Sequence, residues 1–220
     1  MKADQMENER YKKNDFGTIS MEEEIMLGIL EKHSTREQRK LSVLDVGCGS
    51  GTIAKRIQNA GHTVKGLDFS EEALKRATER GVDTKQCNLD EGIPETSETY
   101  DVVWEGDIVE HVFDPIGLLT ESSRVLKKRG ILLLTIPNDV GLISRLMILF
   151  GISHQEQMYR TSGFYKHHTF FTPSLIKFML EKSGFEIEEF HKILNIGKRF
   201  RISFLPSMFY NEMIIKARKK

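Results

Sequence analysis

A chain of 220 residues is long enough to bury one sizeable core and falls in the range of a single domain. Its 32 Lys and Arg balance its 32 Asp and Glu, so no global field draws it to nucleic acid. The two cysteines, Cys48 and Cys87, have no metal-ligand spacing and suggest no disulfide framework, which suits a reducing, cytoplasmic setting.

The first stretch, MKADQMENERYKK, is charged and lacks the apolar core of a signal peptide. Residues 1–19 read either as a loosely held arm with Tyr11 and Phe16 as isolated aromatics, or as a lid. A helix starts at Ser20, which can cap it. Glu23 stands at the capping-box position, and Glu22 to Glu24 favour the positive end of the helix dipole. Its apolar face is Ile25, Met26, Ile29 and Leu30.

Next comes LSVLDVGCGSG, Leu41 to Gly51. A short apolar run, a buried strand by its composition, breaks into glycines at alternate positions. TIAKRIQNAG then reads as a helix closing at Gly61. Strand, glycine turn and helix bring backbone N–H groups and a helix N-terminus against a ligand. A dinucleotide fold would show G-x-G-x-x-G, but Thr52 stands where its third glycine would fall. Asp45, at the strand end, is a poor neighbour for pyrophosphate and suits a ligand carrying an ammonium or sulfonium charge. D-V-G-C-G-S-G resembles the first motif of the class I S-adenosylmethionine-dependent methyltransferases. The resemblance implies S-adenosylmethionine as cofactor and S-adenosylhomocysteine as product, with Asp45, Gly47, Cys48 and Gly49 in the binding turn.

HTVKGLD, residues 62–68, is the second strand and ends at Asp68. A carboxylate there can accept both hydroxyls of an adenosine ribose. Asp68 can also cap the next helix, although Ser70, followed by Glu71 and Glu72, is the better cap. Phe69 is placed to pack on the adenine face. Residues 82–87 form the third strand. In the resembling family the residues just after it meet the adenine amino group and a ring nitrogen, here Asn88 and Leu89, with Asp90 as competitor for Asn88.

YDVVWEGD, about residues 100–107, is the fourth strand and its exit. In an open parallel sheet the crevice lies beyond the carboxyl ends, where strand order reverses. Trp104, Glu105, Gly106 and Asp107 should therefore border the methionine moiety. The following IVEHVFDP, with ESSRVLKKRGILLLTIPN, resembles the ubiquinone and menaquinone biosynthesis branch and its relatives. Asp107, Glu110 and His111 share one face if the segment is helical. Glu110 and His111 either anchor the turn or, as the resemblance implies, hold a divalent cation or act as base. The resembling enzymes carry Glu where this chain has Asp107.

Asp114-Pro115 starts a helix, and KKRGILLLTIPN gives a turn and a buried fifth strand. Residues 138–170 do not fit the strand-helix repeat and read as a lid on the substrate side, with LISRLMILFGI too short to span a bilayer. This apolar helix can pack under the lid, line an apolar acceptor's pocket, form a dimer face or touch a membrane shallowly. His167 and His168 can take a proton from an acceptor hydroxyl or tie the lid down. Thr172 caps a helix that runs to Gly184, FEIEEFHK is a strand, and FYNEMIIKARKK is the last. Lys198, Arg199 and Arg201 form a basic cluster that could meet an anionic acceptor.

The expected fold is α/β: a three-layer sandwich around a Rossmann-like, seven-stranded, mostly parallel sheet with a terminal antiparallel hairpin. The expected activity is in-line methyl transfer to a small or lipid-like acceptor, at oxygen, by a monomer or homodimer. No N-P-P-Y-like tetrapeptide follows the fourth strand, which speaks against amino methylation of DNA. Two rivals are a non-catalytic binding module on the same fold and an NAD-dependent oxidoreductase.

Overall fold

The computed structural model describes residues 18–153, 156, 167–195, 199–202 and 206–220, with the backbone alone at 195 and 199–202. The arm with Tyr11 and Phe16, most of the second half of the lid, and Lys198 lie outside the described residues, as do the side chains of Arg199 and Arg201.

Helix α1 (Met21–Glu37) opens with the expected capping box. Glu23 N–H donates to Ser20 Oγ at 3.2 Å, and Ser20 N–H donates back to the Glu23 carboxylate at 2.6 Å. Then β1 (Ser42–Val46), α2 (Thr52–Asn59), β2 (Thr63–Asp68), α3 (Glu71–Glu79) and β3 (Asp83–Gln86) form two parallel crossovers. Gly61 closes α2 as read, at φ 95°, and Gly81 closes α3 in the same way at φ 80°. After β3 come β4 (Tyr100–Gly106), α4 (Pro115–Val125), β5 (Leu126–Pro137), α5 (Leu142–Leu149) and α6 (Pro173–Lys182). The chain closes with β6 (Phe185–Asn195), β7 (Arg199–Ile202) and β8 (Glu212–Lys219).

The sheet has the order β3-β2-β1-β4-β5-β8-β6-β7. The first five in that order are parallel, and β8, β6 and β7 add antiparallel pairs. The seven expected strands are all present. The short edge strand β7 makes the sheet eight-stranded, from four alternating residues, RFRI, too few to announce a strand. The KKRG turn survives as a bulge in β5, with Arg129 at φ 61° and the β4 register slipping between Tyr100 and Val102.

Period-two alternation along the strands divides the core between two faces. Val43, Val102, Trp104, Leu133 and Ile214 meet α1 and α2 on one side. Leu44, Val103, Leu132 and Ile215 meet α4 and α6 on the other. Both faces are covered, which is why the central parallel strands read as unbroken apolar runs. Strand order reverses between β1 and β4, so the crevice opens at their carboxyl ends.

Candidate active site

The glycine turn follows β1 with Gly47, Gly49 and Gly51 at φ 77°, 52° and 76°, backbone that L side chains adopt only with strain. Packing adds a second requirement at Gly51, where a Cβ would lie 2.7 Å from that of Ala77 in α3. The turn is pinned to the end of β2. Gly47 and Cys48 N–H both donate to Leu67 O, and Gly49 N–H donates to Asp68 Oδ2 at 2.8 Å. The other Asp68 oxygen accepts Ser70 N–H at 2.8 Å, while Ser70 Oγ caps α3 through Ala73 N–H. Asp68 thus holds the turn while Ser70 takes the capping role. An ionised carboxylate has about four acceptor positions, more than two amides use.

Asp45 points to the α1 side of the turn and is fully enclosed. It accepts from Ala54 N–H in the first turn of α2, yet Oδ2 has no hydrogen-bond partner among the described residues. Burial, with the charges of Asp68 and Glu23 beside it, pushes its pKa up to about 8. Glu23 itself is raised by burial, with Asp107 and Glu22 adding to it. The start of α1 therefore stands over the crevice, which nothing in the sequence beyond the capping box announced.

The crevice is acidic along its length. Glu110 is raised well above the usual carboxylate range by burial, then by Asp107, Asp139 and Glu212. Unpaired buried carboxyls converging on one cleft mark a site built for positive charge.

The remaining expected residues fall into two groups. Phe69 is partly exposed beside the turn, and its carbonyl accepts from Gln86 Nε2. Asn88 caps the short 3-10 turn Leu89–Glu91, accepting from Asp90 N–H and donating to Glu91 Oε1 at 3.1 Å. Leu89 is half-buried against the core. Asp90 is committed elsewhere, to Phe113 N–H at 2.8 Å. These lie at the β2–β3 side, where an adenosine would extend.

Two side chains turn away from the crevice. Glu105 was placed at the crevice, but alternation along β4 turns its carboxylate to the α4 face, onto Ser122 Oγ. Only its backbone reaches the crevice end. The Cys48 side chain likewise turns inward under Gly66, where a Cβ would come 2.6 Å from Sγ, so this residue offers its backbone alone.

Asp107, Glu110 and His111 do not share a helical face. After β4 the backbone reverses through Asp107 at φ 50°, and only Val109–His111 makes a 3-10 turn. Thr135 of β5 causes the reversal, its Oγ accepting Asp107 N–H at 3.0 Å and donating to Asp107 Oδ1 at 2.8 Å. Instead, Glu110 and His111 meet His167, with a ligand atom from each within 4.8 Å of the others. The His111 and His167 rings stand edge to face at 5.0 Å. His168 is on the solvent side, stacked on Phe113 at 4.2 Å. Asp139, which sequence reasoning missed, is buried and fastens this segment: its N–H donates to Phe171 O, and Oδ2 accepts Phe171 N–H. Ile108 was missed as well. It packs over Gly47, where a Cβ would lie 2.9 Å from its Cδ1.

A family model described as a methyltransferase domain matches residues 20–189. The chain belongs to this methyltransferase family. It is 31% identical over 157 residues to the mitochondrial ubiquinone biosynthesis O-methyltransferase of Homo sapiens, covering 67% of this chain and 42% of that protein. With the ubiquinone biosynthesis O-methyltransferase of Aliivibrio fischeri (strain MJ11) it shares 30% over 153 residues, 66% of this chain and 63% of the other. The methyltransferase chain thus spans about half the length of the curated relatives it matches. Among solved structures, an S-adenosylmethionine-dependent methyltransferase from Thermotoga maritima, a possible histamine N-methyltransferase, superposes with a TM-score of 0.63 at 22% identity, covering 83% of each chain. One from Mesorhizobium loti gives 0.63 at 19%, covering 82% of this chain and 91% of that one. At such identities they speak for the fold. The class I S-adenosylmethionine-dependent fold and the ubiquinone-branch resemblance expected from the motifs both hold.

Proposed function

We propose that this methyltransferase moves a methyl group from S-adenosylmethionine to an oxygen of a small or lipid-like acceptor. One observation carries the reading. Asp45 is buried beside the glycine turn with an oxygen that no group among the described residues satisfies, and the charges that weigh on it are negative. A pyrophosphate would be repelled there, whereas a ligand bearing ammonium and sulfonium charge is attracted.

The chain's residues fit that ligand. Asp45 would take the ammonium end, backbone groups of Gly47, Cys48 and Gly49 would line the turn, and Asp68 would accept the ribose hydroxyls. Phe69, Asn88 and Leu89 would flank the adenine. Bound there, S-adenosylmethionine would supply an activated methyl group, leaving the protein to orient the acceptor and manage its proton. Orientation alone can contribute about 7–11 kcal/mol. His111 is the proton acceptor we favour, since it faces the crevice beside Glu110, and His168 is the second candidate.

Oxygen as the methylated atom is supported by the names of the curated relatives. A lipid-like acceptor is supported by α5, which follows β5 at the crevice end and exposes Ile143, Ile148 and Leu149 with Phe150 just beyond it. Such a surface favours an apolar acceptor and peripheral membrane contact. Among the described residues, no helix is long and apolar enough to cross a membrane. Free thiols at Cys48 and Cys87 fit a reducing cytoplasmic setting.

The test is methyl transfer from labelled S-adenosylmethionine to hydroxylated aromatic acceptors with and without an apolar tail. The expected result is turnover favouring the tailed compounds, falling about 10²- to 10⁴-fold in His111→Ala. Cofactor binding with no turnover on any acceptor would point to a non-catalytic module instead.

A further inference from the structure

We infer that a cleft at the amino ends of β1 and β4, opposite the crevice, binds a soluble, multiply charged phosphate anion. The inference does not depend on the methyl-transfer reading.

The cleft encloses about 420 Å³ and is lined by Arg36, Arg39, Lys127, Lys128, Arg129 and Arg218, against the carboxylates of Glu37 and Asp101. Its cations come from three places: the end of α1 with its link to β1, the bulge in β5, and the end of β8. The chain as a whole is neutral, so this excess is a local segregation of charge. Asp101 organises the floor. It is buried and takes Arg39 through two bonds of 2.9 Å and Lys127 Nζ through one of 2.9 Å. Those bonds use only part of what the two cations can donate. Arg218 pairs with Glu188, and its Nη1 donates to Arg129 O at 2.6 Å, which pins the bulge. Arg129 stands there at φ 61°, on left-handed backbone where a glycine would be relaxed. Among the described residues, Arg36, Lys128 and Arg129 form no ion pair. A concave wall of such cations focuses positive potential and gathers anions.

His33 marks a site rather than a solvated face. It lines the same cleft, is 6% exposed, and its Nδ1 is buried with no hydrogen-bond partner among the described residues. Buried polar atoms in native folds are nearly always answered, so an imidazole left unanswered in a cationic wall suits an occupant rich in acceptor oxygens. Guanidinium forks match phosphate oxygens in pairs, and six cations against two carboxylates favour a multiply charged anion over a lone carboxylate. The exposed apolar side chains of α5 follow β5 at its carboxyl end, at the other end of the sheet. A bilayer met by α5 would lie away from the cleft, which favours a soluble anion over a lipid headgroup.

The experiment is calorimetric titration of the full-length protein with inorganic pyrophosphate at physiological ionic strength, with proton NMR of the assigned histidine rings. The expected result is one saturable site per chain, about tenfold tighter for pyrophosphate than for sulfate, with the His33 signals shifted. Arg129→Gly, which also relieves the left-handed backbone, and Lys128→Gln, at an exposed position, should each weaken binding about tenfold, the worth of one charge-assisted bond. Lys75→Gln, at an exposed position on α3, should leave it within threefold. Saturating S-adenosylhomocysteine should also leave it within threefold, because the acidic crevice repels the same probe. No saturable binding, undiminished binding in both cleft variants, an equal loss in Lys75→Gln, or competition by S-adenosylhomocysteine would overturn the inference. Tighter binding to mixed phosphatidylcholine and phosphatidylglycerol vesicles than to pyrophosphate would overturn it as well, and assign the cleft to a lipid headgroup.

Discussion

Asp68 Oδ2 accepts the Gly49 amide at 2.8 Å, so the end of the second strand holds the middle of the glycine turn that follows the first. The same carboxylate accepts from Ser70. Asp68 therefore shapes the turn at the end where a ribose would lie. Removing it should act twice. Asp68→Ala is expected to lower stability by about 1–3 kcal/mol, because two amides lose their acceptor, and to abolish measurable S-adenosylhomocysteine binding. Urea unfolding and calorimetry on the same preparation separate the two effects.

Gly51 is a purely steric position. A methyl group there meets Ala77 at 2.7 Å and sits on left-handed backbone. Gly51→Ala should cost about 2–4 kcal/mol, from overpacking together with the left-handed penalty. Chemical denaturation reads this directly. A cost below about 0.5 kcal/mol would mean that α3 does not press on the turn as described.

Glu105 offers the opposite test. Its carboxyl is buried against Ser122, away from the crevice, and burial pushes its pKa up to about 7. Glu105→Gln should leave cofactor affinity within threefold of wild type. Ser122→Ala should destabilise by about 1–3 kcal/mol, since the carboxyl then loses its partner. A tenfold or greater loss of affinity in Glu105→Gln would return this side chain to the cofactor site.

The buried carboxyls also set a pH dependence. Asp45 has its pKa pushed from an ordinary 3.8 up to about 8. Between those values the folded state binds more protons than the unfolded one, so stability falls as pH rises through that window. Glu105 adds the same sign up to about pH 7. The ligand-free protein should therefore lose stability from pH 5 to pH 8, Asp45→Asn should flatten the slope, and saturating S-adenosylmethionine should remove Asp45's share. Thermal melts across that range check it; a rising profile in the ligand-free protein would contradict it.

Much of this was legible in the sequence because it is written in local chemistry. The capping box at Ser20 and Glu23, the positive-φ glycines at 47 and 51, Ser70 as a cap and Asp68 at a strand end all depend on residues close in the chain. What stayed hidden depends on partners far away. Thr135 turns Asp107 out of line with Glu110, and Asp139 fastens the segment that delivers His167. Glu105 was misread because strand alternation fixes its face only once Val103 and Trp104 are known to pack on opposite sides. Edge strand β7, RFRI, alternates over only four residues, too short a run to stand out as a strand.

We propose that the acidic crevice around Asp45 is built for S-adenosylmethionine. Thermal unfolding of wild type and Asp45→Asn, each with saturating S-adenosylhomocysteine and in parallel with NAD, tests it most directly. At 100 times its dissociation constant the homocysteine compound should add about 2.7 kcal/mol to wild-type stability. NAD should add nothing, and Asp45→Asn should lose most of the gain. Stabilisation by NAD alone, or an undiminished response in Asp45→Asn, would contradict the account.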